Sequence, residues 1–322
     1  MQQDLKPSTK DIPDFDLLVK TAADFFNSEN CFFITYHSNP DDDAFGSAVA
    51  LAIGLRSIGK TAEVSNLYPM ASPVHPFRLS ERPDEACGVL VDVGSKHRCD
   101  QNALLGKRII NIDHHHGSEI DGAVNVIYEP ASSTSEIIYH ILSSLGVVIT
   151  PIISDYLYSG IYSDTDGFRS ITTSPETLQV ASDLAFSGAN IHLIANRVQK
   201  HTVDYYKAMS ELLVKEDHNL GVYVLRLFDI NRDNITDNEA QSLPDRIYEA
   251  TSKDTVILVN EIGENQVRVS IRSICNQNEF AKAIGGGGRS GAWAVTMNKS
   301  VEHAIEVIKE NIDKIVTRED VV

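Results

Sequence analysis

Cysteine is scarce in this chain and follows no pattern. Cys31, Cys87, Cys99 and Cys275 are the only four among 322 residues, and none stands at the spacing of a metal knuckle. This excludes a thiolate zinc site and a disulfide-stapled secreted scaffold. Two of the four fall in runs that read as buried strands, so they are expected to be reduced core thiols of a cytoplasmic protein. Long hydrophobic runs are missing as well. The stretch from Ala48 to Ile53, the longest beside a motif, is far short of the roughly 20 residues that cross a bilayer. Met1 to Lys6 lack the basic-then-apolar pattern of a secretory leader. Positive charge is also in deficit: 28 Lys and Arg stand against 45 Asp and Glu, a formal net charge of -17. Such a surface repels polyanions at long range, which argues against a broad basic face for long duplex nucleic acid. An anionic ligand must then be short, and metal ions with a few local arginines must hold it against that field. Part of the acidity also serves solubility.

What is present is a 42% hydrophobic chain long enough for two cores. Asp14 to Asn27 reads as an amphipathic helix, with Phe15, Leu17, Leu18, Ala22 and Phe25 on one stripe. Strands follow at Cys31 to Tyr36, Ala62 to Asn66, Cys87 to Val91, Arg108 to Ile112 and Val124 to Tyr128. Helices alternate with them from Ala44 to Ile58, Ser132 to Leu145 and Pro151 to Ser163, with Asp43 placed as N-cap of the first. Further helices span Pro175 to Phe186 and Ile191 to Lys215. This order predicts an α/β domain with a doubly wound, mostly parallel sheet over residues 1–190. Residues 191–217 read as a helical connector, and alternating strands over 218–322 predict a second, smaller α+β domain. No internal repeat or low-complexity tail is present.

Ligands of parallel sheets gather outside the carboxyl ends of the strands. Three such ends in this chain carry metal-ligating side chains: His37, Asp92, and the run Asp113, His114, His115. Asp41 and Asp43, two apart in a loop, can turn to different ions, and Asp164 ends a helix. The set His37, Asp41, Asp43, Asp92, His114 and Asp164 is rich in carboxylate and free of thiolate, which suits two divalent ions of the Mn or Mg kind. Ions about 3.5–4 Å apart, with Asp92 between them, would stabilise the attacking and leaving oxygens of a phosphoryl displacement. His115 is the candidate to contact phosphate or protonate the leaving oxygen, and Asp113 to orient a ligand imidazole. His116 reads as a solvated loop residue. In the second domain, Gly285 to Gly288 let the backbone approach an anion, and Arg289 and Arg272 can fork onto phosphate oxygens.

Taken together these residues resemble the DHH phosphoesterase superfamily. The motifs are H-x-x-P-D-x-D-x-x-G-S at His37 to Ser47, the lone Asp92, Asp-His-His at Asp113 to His115, and Ser-Asp-Thr at Ser163 to Thr165. Ser270 to Ser273 and Gly285 to Arg289 look like the DHH-associated C-terminal domain, so the resemblance covers almost the whole chain. It is most similar to the nanoRNase and 3'-phosphoadenosine 5'-phosphate phosphatase branch. That implies a manganese-dependent phosphodiesterase acting on short oligonucleotides or dinucleotides, with pyrophosphate, polyphosphate or nucleotide monoesters as alternative substrates. A non-catalytic nucleotide-binding role is the other alternative. It also implies a homodimer and a division of ligands: His37, Asp41 and Asp92 on one ion, and Asp43, Asp92, His114 and Asp164 on the other. Arg272, Ser273, Gly286, Gly287, Gly288 and Arg289 would hold substrate. The chain departs from the family at Arg289, where the glycine loop usually ends in His, at Trp293 in place of a small residue, and at Asp166 in place of glycine.

Overall fold

The computed structural model describes residues 13–70, 75–198, 202–214, 222–225, 237–251, 253–289 and 291–316. They fall into two compact units, residues 1–200 and 201–322.

The first unit is built on five parallel strands: β1 (Cys31–Thr35), β2 (Thr61–Val64), β3 (Cys87–Val91), β4 (Ile109–Asp113) and β5 (Val124–Ile127). Their spatial order is β2-β1-β3-β4-β5. The chain therefore reverses direction across the sheet between β1 and β3, the switch point at which such sheets open a crevice. Alternate residues go to opposite faces. Phe32, Ile34, Val89, Val91, Ile110 and Ile112 join the main core. Its other walls are helices α1 (Phe15–Ser28), α2 (Asp42–Ser57), α3 (Thr134–Ser144) and α4 (Pro151–Asp164). Phe33 and Leu90 face a smaller cluster with Val93, Cys99, Ala103 and Ile120. There the described cover is two 3-10 turns, Lys96–Arg98 and Gln101–Leu105, rather than α-helices.

Helices α5 (Pro175–Phe186) and α6 (Ile191–Val198) pack on α4. Helix α7 (Val203–Val214) packs on α8 (Asp237–Ala250) in the second unit. The described parts of the stretch expected as one connector, 191–198 and 202–214, are thus shared out between the units, because each helix has its own apolar partner. Residues 199–201 and 215–221, within and just after the expected connector, lie outside the described residues, as do 226–236.

The second unit has β6 (Val222–Leu225), β7 (Thr255–Gly263), β8 (Gln266–Ser273), β9 (Gly287–Arg289) and β10 (Ala292–Met297) in the order β6-β7-β8-β10-β9. All pairings are antiparallel except β6 with β7. The glycine run is not wholly a loop. Gly287 to Arg289 form an edge strand against β10, where a Cβ on Gly288 would lie 2.2 Å from the Ala292 carbonyl oxygen. Helices α9 (Asn278–Ala283) and α10 (Val301–Glu310) complete this core.

Candidate metal centre

Helix α2 begins two residues earlier than its sequence suggests. Asp41, not Asp43, is the N-cap: its Oδ1 accepts from the amides of Asp43 (3.1 Å) and Ala44 (2.9 Å). A run of three aspartates offers three caps, and Pro40 favours the first that follows it. Asp41 keeps its second oxygen for the site, with Oδ2 3.8 Å from His37 Nε2. Asp43 therefore sits inside the first turn and is fully buried. Its two oxygens accept the free amides at the start of α3, Thr134 N at 2.8 Å and Ser135 N at 2.9 Å. Helix α4 crosses so closely that a Cβ on Gly160 would meet Ser135 Oγ at 2.1 Å and Asp43 Oδ1 at 2.8 Å.

Asp92 leaves β3 with φ at +56°, a left-handed conformation that a short polar side chain tolerates. The turn carries its carboxylate into the middle of the cluster. Oδ2 lies 3.4 Å from His37 Nε2, and Oδ1 lies 3.3 Å from His115 Nδ1 and 3.9 Å from His114 Nε2. The Thr134 hydroxyl donates to the same Oδ1 at 3.2 Å. His114 Nε2 is also 3.2 Å from Asp164 Oδ2 at the end of α4.

All six side chains expected as ligands fall into two groups of close donor atoms: His37, Asp41 and Asp92, and Asp43, His114 and Asp164. A third group, Asp92, Asp113, His114 and His115, overlaps both. The His114 ring is buried, and its Nδ1 faces the Ala131 carbonyl oxygen at 3.2 Å. A carbonyl only accepts, so Nδ1 carries the proton in the neutral ring and the lone pair on Nε2 points into the cluster. That Nε2 has no hydrogen-bond partner. A buried nitrogen without a partner, facing carboxylates, fits a divalent cation, and the carboxylate-imidazole donor set suits Mn or Mg.

The electrostatics agree. Burial opposes charge on His37, Asp43, Asp92 and His114. Even so, Asp41 and Asp92 push His37 up to about 9, and Asp164 and Asp92 push His114 up to about 9 against the repulsion of His115. Asp92, despite its burial, is held well below the carboxylate range by hydrogen bonds from His115 and His37 and by the His114 charge. Asp43 is driven well above that range by burial and by the charges of Asp92 and Asp164. Carboxylates of one cluster pushed in opposite directions are what crowded like charges produce, and cations relieve it.

Asp113 departs from its expected role. Its Oδ1 accepts the amides of His114 (2.7 Å) and His115 (3.0 Å) and faces His115 Nδ1 at 2.8 Å, while Oδ2 accepts Gly94 N at 2.8 Å. It orients His115 rather than the ring of His114, which the Ala131 carbonyl sets. Burial works against a charge on His115, but Asp113 and Asp92 raise it to about 11. Half of the His115 side chain is exposed. His116 pairs with Glu129 on the surface, 2.8 Å apart.

Within the second unit, Arg272 is taken up by the carboxylate of Asp245 on α8, with Nη2 2.9 Å from Oδ2 and a second bond from Nε to Oδ1. The Ser273 hydroxyl is buried, meeting Thr255 Oγ1 at 2.8 Å and the Asp254 carbonyl at 3.0 Å, so it is committed to the fold. Trp293 is a core residue whose Nε1 donates to Asn278 Oδ1 at 2.6 Å. Gly286 and Gly287 precede and open β9, and the Arg289 side chain lies outside the described atoms.

Sequence reasoning passed over Thr134, Ala131 and Gly160. The signal for the first was present: Ser133 and Glu136 bracket a helix start whose amides need acceptors.

Comparisons with known proteins fit this geometry. Residues 31–161 match the DHH family, N-terminal domain, and residues 219–317 match the DHHA1 domain. The bifunctional oligoribonuclease and PAP phosphatase NrnA of Thermus thermophilus is 28% identical over 306 residues, covering 89% of this chain and 91% of that protein. A probable manganese-dependent inorganic pyrophosphatase of Streptococcus mutans is 28% identical over 216 residues, covering 61% of this chain and 66% of that one. The crystal structure of an exopolyphosphatase-related protein from Bacteroides fragilis shares the fold, with a TM-score of 0.79 at 20% identity over 95% of this chain and 98% of that chain.

Proposed function

Because this chain belongs to the DHH family and carries a DHHA1 domain after its DHH domain, we propose that it is a metal-dependent phosphodiesterase. Its substrates in this reading are dinucleotides and other very short oligonucleotides, including linear products of cyclic dinucleotides, which it hydrolyses to mononucleotides. The observation that carries the reading is the unpartnered, buried His114 Nε2 aimed at Asp92 and Asp164. Two divalent ions, most simply manganese with magnesium as substitute, would supply Lewis acidity and a lowered pKa for the attacking water when bound.

The chain's own residues do the rest. His37, Asp41 and Asp92 would hold one ion, and Asp43, His114 and Asp164 the other, with Asp92 lying between the groups. The amides of α3 hold Asp43 in place, and the Thr134 hydroxyl holds Asp92. His115, fixed by Asp113 and half exposed, keeps its proton to high pH and is suited to giving it to the leaving oxygen. In the second unit, Gly286, Gly287, Gly288, Arg289 and Arg272 are proposed to meet the substrate phosphates, Arg272 by exchanging Asp245 for phosphate.

The names of relatives keep a second reading in play, hydrolysis of small phosphates such as 3'-phosphoadenosine 5'-phosphate or pyrophosphate. The test is the manganese-dependent release of mononucleotide from a labelled dinucleotide, set beside pyrophosphate and 3'-phosphoadenosine 5'-phosphate. The expected result is a dinucleotide kcat/KM at least about tenfold above pyrophosphate, a transition-state preference of roughly 1.4 kcal/mol. The reverse ratio would favour the phosphatase, and no turnover on any of them would leave a nucleotide-binding protein.

A further inference from the structure

Beside the ligand groups stands a cation that none of the expected roles uses. Arg98 ends the 3-10 turn Lys96–Arg98, on the loop that follows Asp92, and all three residues of the turn are exposed. The turn is rigidly mounted. Upstream, Gly94 N donates to Asp113 Oδ2 at 2.8 Å. Downstream, buried Asp100 accepts Ser65 Oγ at 2.6 Å and donates its amide to Thr35 Oγ1 at 3.1 Å, which ties the turn to β1 and β2. Gln101 Nε2 donates to the Lys96 carbonyl at 2.7 Å.

In a chain with 45 acidic residues against 28 basic ones, Arg98 pairs with no carboxylate among the described residues. Among the described residues its guanidinium makes one hydrogen-bond contact, Nη2 to His37 Nδ1, at 3.5 Å. At that length the contact is marginal, and the other ring nitrogen, Nε2, faces Asp41 and Asp92. Ligation of an ion would take place through Nε2. The proton must then sit on Nδ1, and two donors confront each other across 3.5 Å. In the loaded site Arg98 therefore has no acceptor on His37 while it stays charged, beside an ion that attracts anions.

We propose that Arg98 is a substrate-binding residue, the first unit's own anchor for a phosphate oxygen on the His37, Asp41 and Asp92 side of the centre. The proposal rests on the phosphodiesterase reading for the identity of the ligand, a nucleotide phosphate. The guanidinium fork suits phosphate oxygens, and the rigid turn limits the entropy lost in binding.

The test compares the full-length protein with Arg98→Ala and Arg98→Lys. Titration with manganese alone is expected to show affinities within about threefold of wild type, since Arg98 is not a ligand. With manganese bound, 5'-AMP affinity is expected to fall about tenfold or more in the alanine variant and to recover in part with lysine. Binding of adenosine, which lacks the phosphate, should not change. On a dinucleotide, KM should rise more than kcat falls. Unchanged 5'-AMP affinity would overturn the proposal, as would a tenfold loss of manganese affinity, which would make Arg98 a support for the metal ligands. If 5'-AMP behaves as expected while wild type fails to hydrolyse dinucleotides, the phosphate anchor stands and the phosphodiesterase reading falls.

Discussion

Asp92 shows how much one side chain carries. Its backbone adopts a left-handed turn, its two oxygens face different histidines, and burial would neutralise it were those imidazoles absent. Asp92→Asn keeps the shape and removes the charge. Calorimetric titration is expected to show at least one manganese site lost and turnover reduced by roughly 10³-fold or more, as for other essential electrostatic groups. Near-normal stoichiometry would mean that the two groups do not share this carboxylate. The histidines set the pH dependence. His37 and His114 are raised from the ordinary 6.5 to about 9 in the ion-free protein, each by its aspartates acting against burial. A folded value above the unfolded one stabilises the fold below about pH 6.5, and this contribution is lost as pH rises through about 9. Ions must displace the same protons, so apparent manganese affinity should climb between pH 7 and 9. Titrations at pH 7.5 in buffers of different ionisation heat should reveal release of about two protons. A heat independent of buffer would rule this coupling out. The six ligand candidates were legible in the sequence, from strand ends, from the loop of Asp41 and Asp43 and from the end of a helix at Asp164. The N-cap was not, because three consecutive aspartates look alike until packing decides which of them is buried.

At the scale of elements, the centre depends on α3 as much as on the strands. Its first two amides grip Asp43, and its first hydroxyl grips Asp92. Thr134→Val removes the hydroxyl and keeps the amide. Loss of such a support is expected to weaken manganese binding by roughly 10- to 100-fold with little change in the Asp43 contacts. Thr134→Ser, which keeps the hydroxyl, should restore most of the affinity. If valine binds manganese as tightly as threonine does, the 3.2 Å bond to Asp92 has no role in holding the site. The sequence marked the start of α3 well. It could not say that those amides meet residue 43, some 90 positions earlier, since that contact exists only once α2 and α4 have crossed at Gly46 and Gly160.

At the scale of the molecule, each unit has its own core, and the ligand candidates all belong to the first. Manganese at 100 times its dissociation constant adds about 2.7 kcal/mol to whatever unfolds with its site. Scanning calorimetry with manganese, and then with a chelator, should move the transition of residues 1–200 and leave that of 201–322 in place. A single transition moving as a whole would show that the units unfold together. The alternation of strands and helices, and the clustering of ligand-type residues at strand ends, were determined by the sequence alone. They follow from local periodicity and from the rule that parallel sheets bind at their carboxyl edge. Only the tertiary structure decided that His114 is left with a bare nitrogen, that Asp113 serves His115, that Asp245 occupies Arg272, and that Arg98 stands against His37. Each of these is a contact between side chains or backbone groups brought together by packing and turn geometry, and no pattern of residue types along a chain specifies which donor will find which acceptor.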